Sequence, residues 1–271
     1  MRDVMESVKA PEAKTAKGPI ALQKGIIYGP VRSRRLGRSL GINLLPVSFK
    51  MCSLNCSYCQ YGWTSKLTSS GRGYEEFFPS VPEVILSVKN ALASIGDKID
   101  YLTFSGNGEP TLHPKFPRIV EMVRELKVFY RVKARLALLS NGTTCGDPRV
   151  REALAKIDLA IMKLDAGNER MFRKLNHGTP PITLRQIVDG LKALPDYAIQ
   201  SMFVRGQVDN SSDEQVASWI EALRELHPSQ VQIYTLDRGT ASEKLLRVPR
   251  SRLNEIAQQA REATGFNVEV Y

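Results

Sequence analysis

The stretch KMCSLNCSYCQYGWT, residues 50–64, sets Cys52, Cys56 and Cys59 in a Cys-x-x-x-Cys-x-x-Cys spacing, and the rest of the 271-residue chain holds one further cysteine, Cys145. Three thiolates on one short loop can wrap a metal centre from one side. No fourth cysteine lies nearby, so one coordination position stays open, as a catalytic metal needs and a structural one avoids. Closely spaced cysteines are the usual signature of iron–sulfur ligation. Clustered cysteines in a cytosolic chain point to metal before disulfide. The spacing alone leaves three readings: an iron–sulfur site, a zinc site completed by Cys145, His113, His177 or His227, and three reduced structural cysteines.

Such a loop needs a scaffold. Apolar runs with strand character recur at 39–46, 99–106, 135–142, 158–166, 197–206, 231–236 and 267–271. Between most of them lie stretches with apolar residues every three or four positions, at 82–95, 115–127, 148–156, 183–194, 213–226 and 250–264. Strands alternating with helices predict an α/β fold whose parallel sheet is joined by right-handed crossovers. Caps are expected at Ser80, Asp147 and Ser211/Ser212. Both architectures built this way, the doubly wound sheet and the barrel, put function at the C-terminal strand ends. Four strands here end in polar, glycine-bearing tails (SGNGEP, SNG, KLDAG and VRG), and the cysteine loop follows another.

The bulk composition narrows the classes. Hydrophobic residues make up 42% and charged residues 24%, as in an ordinary globular protein. No apolar run nears the roughly 18 residues of a membrane span. The first residues carry charges and no apolar core, unlike a secretory signal, which makes a reducing cytoplasm the expected location. Lys and Arg outnumber Asp and Glu by 38 to 28, and residues 1–38 alone hold nine basic and three acidic side chains. Residues 1–24 read as a mobile basic leader and residues 25–271 as a single core domain. Basic charge attracts nucleic acid or anionic substrates and also keeps proteins soluble.

The cysteine loop, with aromatic Tyr58 just before its last cysteine, resembles the signature of the radical S-adenosylmethionine (SAM) superfamily. That resemblance implies a TIM-like partial (β/α)6 barrel with parallel strands. It implies a [4Fe–4S] cluster on Cys52, Cys56 and Cys59, whose fourth iron takes the amino and carboxylate groups of SAM. One electron then cleaves SAM to methionine and a 5′-deoxyadenosyl radical, which abstracts a hydrogen atom from a substrate. SGNGEP at 105–110 is similar to the superfamily's GGEP-type strand end, with Asn107 in place of its first glycine, then Gly108 and Glu109; backbone and Glu there contact the SAM amino group. Ser140 and Asn141 resemble the next strand's ribose- and carboxylate-contacting tail, and Lys163 and Asp165 the polar end that follows. Read as residues alone, these two tails are equally ordinary turn chemistry.

From Gly29 onward the chain looks closest to the stand-alone iron–sulfur oxidoreductases related to the wyosine-forming tRNA enzymes. It lacks the extra cysteines those enzymes use for a second cluster, so the wyosine reaction itself is not expected. The resemblance implies a one-electron donor such as flavodoxin or ferredoxin. It leaves the substrate unidentified, with an anion suggested by the run Arg32-Ser33-Arg34-Arg35-Leu36-Gly37-Arg38. A tRNA partner is disfavoured: aromatic residues make up only 7%, few platforms for splayed bases. Arg34, Arg35 and Arg38 are expected to bind a compact anion or to brace acidic residues of the barrel. The competing reading from a different class is a non-catalytic, cluster-bearing RNA-binding or sensor protein.

Overall fold

A computed structural model describes residues 18–95 and 98–271. One eight-stranded sheet forms the frame. Its edge strand β1 (Ile27–Ser33) runs antiparallel to β2 (Gly37–Ile42). A two-residue pair, β3 (Met51–Cys52) with β4 (Lys66–Leu67), and α1 (Val81–Ile95) follow. Then come β5 (Tyr101–Phe104), α2 (Phe116–Phe129), β6 (Arg135–Ser140), α3 (Pro148–Leu154) and β7 (Leu159–Lys163). After β7 the chain makes two helices, α4 (Glu169–Leu175) and α5 (Leu184–Lys192), before β8 (Ala198–Met202). The remainder is β9 (Val204–Gly206), α6 (Asp213–Arg224), β10 (Gln230–Tyr234), β11 (Leu245–Arg247), α7 (Arg250–Thr264) and β12 (Val268–Val270). Sheet order is β1-β2-β5-β6-β7-β8-β10-β12, and every pairing after β1–β2 is parallel. This is the expected partial barrel, with β1 as an antiparallel rim.

Residue alternation assigns the two faces of the sheet. Leu40, Ile42, Leu102, Phe104, Leu136, Leu138, Ile199, Val231 and Ile233 are fully buried in the main core under the helices. The opposite face is more polar. Its floor is a small apolar cluster in which Leu36, from the β1–β2 turn, packs on Ala137, Ile161 and Ala198. Above that floor, Ser39 and Thr103 join their hydroxyls at 2.6 Å, and Gln200 donates to Gln232 at 3.2 Å.

Local sequence explains the helix starts. Asp147 caps α3 through the N–H of Arg149, with Pro148 at the first helical position. Thr183 and Gln186 form a reciprocal capping box on α5. Ser80 accepts from the N–H of Glu83 at 3.4 Å, but Ser212 makes no side-chain cap bond. The run expected as one strand at 197–206 breaks into β8 and β9. There Asn210 accepts from Val204 N and donates to the carbonyls of Met202 and Asp165, each at 2.8 Å, which turns the chain out of the sheet.

The leader needs one correction. Residues 1–17 lie outside the described residues, but residues 20–23 pack on the core: Ile20 N donates to Gln60 O at 2.8 Å, and Gln23 N to Asn107 Oδ1 at 2.8 Å. The packed chain therefore begins before residue 25.

Candidate functional site

The cysteine loop is clamped on two sides. At its start, Met51 N donates to Asn107 O at 3.1 Å and Glu109 N to Met51 O at 3.3 Å, so the loop runs along the tail of β5. Gly108 sits between them with φ of +147°, and a Cβ there would lie 1.6 Å from Met51 O. Only glycine lets the two backbones approach this closely. Further along, Asn55 N and Ser57 N donate to the carbonyls of Asn176 and Leu175, both at 2.9 Å. The loop thus caps the C-terminal end of α4, where helix carbonyls lack partners of their own.

Cys52, Cys56 and Cys59 are free and half-buried, whereas Cys145 is fully buried. Carboxamide N–H groups face two of the thiols: Asn141 Nδ2 lies 3.6 Å from Cys52 Sγ, and Asn176 Nδ2 3.4 Å from Cys56 Sγ. Burial pushes the Cys52 thiol up to about 12 and the Cys56 thiol up to about 11. A metal centre would supply the positive charge that deprotonated thiolates need here. Of the fourth ligands considered for zinc, His113 uses Nδ1 with Lys115 N and Nε2 with Pro79 O, Cys145 lies against Gly190 of α5, and His177 meets Trp63 edge-on. Three thiols on one loop, two of them facing amide donors, fit iron–sulfur ligation.

The strand-end residues form a second layer. Glu109 is 2% exposed and its carboxylate accepts four hydrogen bonds: from Thr111 N (3.1 Å), Thr111 Oγ1 (2.6 Å), Ser140 Oγ (2.9 Å) and Asn141 N (2.7 Å). Burial raises its pKa, against the pull of those donors. It ties the tail of β5 to the tail of β6. Asn141 extends the tie to the loop, donating to Ser53 Oγ at 2.9 Å. Asn107 is fully buried, but its side chain faces the N-terminal segment, bonding both backbone groups of Gln23 and the carbonyl of Pro46.

A third layer hangs from β7. Asp165 is buried and binds from both oxygens: Oδ1 takes Lys163 Nζ at 2.9 Å and Met202 N at 2.8 Å, while Oδ2 takes Asn176 Nδ2 at 2.9 Å and the Tyr58 hydroxyl. Lys163 also donates to Tyr234 Oη at 3.1 Å and lies over the rings of Tyr58 and Tyr234. Burial alone would lower the Lys163 pKa; the nearby Asp165 and Tyr234 outweigh it and hold it above the usual lysine range. Tyr58 is raised by burial, then by Asp165. A polar column thus descends from the cysteine loop through Tyr58, Asp165 and Lys163 to Tyr234 and Gln200.

The family model of the Radical SAM superfamily matches residues 47–223, more than half the chain. The chain belongs to the radical SAM superfamily. Membership makes it an enzyme that cleaves SAM with an iron–sulfur cluster. The UPF0026 protein MJ1312 of Methanocaldococcus jannaschii is 34% identical over 231 residues, covering 83% of this chain and 67% of the relative. Among solved structures, a radical SAM methyltransferase from Sphaerobacter thermophilus superposes with a TM-score of 0.62 at 15% identity, over 86% of this chain and 65% of that one. TYW1 with a lysine–pyruvate adduct bound gives 0.53 at 16% identity, over 86% and 76%. Identities this low carry the fold alone. Among the described residues of this radical SAM protein, no helix is long and apolar enough to cross a membrane.

The structure gathers the thiols, Tyr58, Gly108, Glu109, Ser140, Asn141, Lys163 and Asp165 at one end of the barrel, and turns only the Asn107 side chain away. It adds Asn176, which sequence reasoning missed. Asn176 lies 120 residues from Cys56 in sequence and caps a helix with no strong periodic signal. Among the described residues its Oδ1 is buried without a partner. The arginine run separates by role: Arg34 pairs with Asp237 at 3.0 Å and Arg38 with Asp100 at 3.5 Å, bracing the barrel, while Arg35 has neither acid. Trp63, four residues past Cys59, is 48% exposed and meets His177 edge-on.

Proposed function

We propose that this protein is a radical SAM enzyme holding one [4Fe–4S] cluster on Cys52, Cys56 and Cys59. In this reading it uses the cluster to cleave SAM reductively and take a hydrogen atom from a small substrate. The observation that carries this is the cysteine loop itself: three free thiols, two of them facing carboxamide N–H donors, on a loop clamped between the tail of β5 and the end of α4. When bound, cluster and SAM supply the one-electron chemistry; the protein positions them and excludes competing reactions.

The chain's own residues divide that work. Asn141 and Asn176 donate to sulfur and hold the thiolates in place. Gly108, Glu109, Ser140 and Asn141 line the SAM side, with Asn107 contributing backbone only, since its amide is committed to Gln23 and Pro46. Glu109 serves the SAM ammonium group and also fixes the β6 tail. Tyr58, Lys163 and Asp165 close the other side, between SAM and the barrel interior. A one-electron donor such as flavodoxin or ferredoxin delivers the electron in the cytoplasm, and four cysteines without a disulfide fit a reducing compartment.

The test is spectroscopic. After anaerobic reconstitution and reduction, the cluster's electron paramagnetic resonance spectrum should change on adding SAM, as an iron with an open position requires. A loaded cluster whose spectrum ignores saturating SAM contradicts the proposal.

A further inference from the structure

Arg35 stands apart from its neighbours in the β1–β2 turn. It is half-buried beside the barrel interior, next to Leu36 on the floor. Its guanidinium lies 4.5 Å from the ring centroid of Tyr234 and 5.7 Å from that of Tyr271. Among the described residues no carboxylate comes within ion-pairing distance of it. The acids on the adjoining strands and loops are committed elsewhere: Asp237 to Arg34 at 3.0 Å, and Glu269 to the Tyr271 hydroxyl at 2.6 Å. A half-buried guanidinium without an acid is poorly compensated, and Arg is the side chain best matched to an incoming anion.

The same Tyr234 ring receives a second cation, Lys163 Nζ, at 4.8 Å from its centroid. Between the two charges the wall carries neutral polar groups: Tyr234 donates to Gln200 Oε1 at 3.2 Å, and Gln200 to Gln232 Oε1 at 3.2 Å. Lys163 keeps 17% of its side chain exposed, so it is reached from the interior although Asp165 is not. The polar wall therefore leads from the cysteine loop to a guanidinium that, among the described residues, stacks on aromatic rings and has no acid beside it.

Resting on the radical SAM reading, we infer that the barrel interior binds a small carboxylate substrate, its carboxylate on Arg35 and its carbon skeleton directed up past Gln200 and Lys163 toward Tyr58 and the cysteine loop. Carboxylate fits better than phosphate. The Arg fork offers a carboxylate two parallel N–H bonds. Phosphate sites recruit backbone N–H groups as well, and here the N–H groups of Arg35 and Leu36 are taken by Ser33 Oγ, at 3.2 and 3.1 Å. Arg35 acts in this account as a specificity-determining residue, away from the reacting atoms.

Two measurements test it on the reconstituted enzyme at low salt. Titration calorimetry with succinate as probe should give saturable binding that weakens about tenfold or more in Arg35→Gln, the loss expected of one charge-assisted contact, and is partly kept in Arg35→Lys. Arg38→Gln, outside the interior, should bind succinate as the wild type does. Phenylglyoxal labelling of the wild type, mapped by mass spectrometry, should show succinate protecting Arg35 and leaving Arg38 exposed, a readout independent of any variant's folding. Inorganic phosphate competing as well as succinate overturns the carboxylate assignment. Succinate that neither binds nor protects, in a preparation that cleaves SAM, overturns the inference and leaves the radical SAM reading standing. A preparation that loads no iron overturns the reading beneath it.

Discussion

Tyr58 gives its phenolic hydrogen to Asp165 Oδ2, joining the residue before the last cysteine to the end of a strand 107 residues further along the chain. Asp165 Oδ1 holds Lys163 at 2.9 Å, so one buried carboxylate ties the cysteine loop to the barrel interior. Replacing Asp165 by Asn leaves the Lys163 charge unanswered where its side chain is only 17% exposed. Breaking such a buried pair from one side costs about 3–5 kcal/mol. Denaturant unfolding of the apo-protein should show that loss, and Lys163→Met in the Asp165→Asn background should recover part of it.

Glu109 Oε1 accepts three hydrogen bonds from protein donors and Oε2 one, from Asn141 N, which leaves Oε2 able to accept a further donor. In Glu109→Gln the NH2 group must face a backbone N–H that cannot rotate away, that of Thr111 in the Oε1 position or that of Asn141 in the Oε2 position. The expected result is a loss of about 1–3 kcal/mol in stability together with weaker SAM binding, read by thermal unfolding and by equilibrium dialysis of SAM. Unchanged values in both would show that the carboxylate has neither role.

Asn176 donates toward Cys56 Sγ and to Asp165, while its own oxygen has no partner among the described residues. Hydrogen bonds to cluster sulfurs tune reduction potential, because they favour the more negative, reduced state. Asn176→Leu should therefore load iron and show a lower potential in a redox titration followed by electron paramagnetic resonance. A potential equal to or above that of the wild type would remove Asn176 from the cluster's surroundings.

Cys145 offers a pH test away from the ligands. Burial raises its thiol from the ordinary 9.0 to about 12. The folded state therefore keeps its proton over a range where the unfolded chain releases it. Stability from this source is complete below pH 9 and falls as pH rises from about 9 toward 12. Between pH 9 and 10 the wild type should lose about 1 kcal/mol more unfolding free energy than Cys145→Ala. Parallel pH profiles would mean that the thiol ionises freely in the folded protein.

The barrel was legible because its strands are short apolar runs closed by polar tails, and its longer helices repeat every three or four residues. The thiols were legible because three cysteines on one loop stand out in a chain with four. What stayed hidden was made by distant pairs. Helix α4 has only seven residues, too few for a clear period, so the capping of its end by the cysteine loop could not be read. The side chain of Asn107 was assigned by its place in a motif, yet its geometry depends on Gln23, 84 residues away. The arginine run looked uniform in sequence; only the folded positions of Asp237 and Asp100 separate its bracing members from Arg35.

The central claim is that Cys52, Cys56 and Cys59 hold a cluster that turns over SAM. The most direct measurement is 5′-deoxyadenosine formed on anaerobic reduction with SAM, scored beside iron content, in the wild type and in each cysteine-to-alanine variant. The account predicts about four irons per chain and 5′-deoxyadenosine in the wild type and in Cys145→Ala, and neither in Cys52→Ala, Cys56→Ala or Cys59→Ala. A wild type that holds its iron, is reduced and binds SAM yet forms no 5′-deoxyadenosine would contradict it, as would loss of iron in Cys145→Ala.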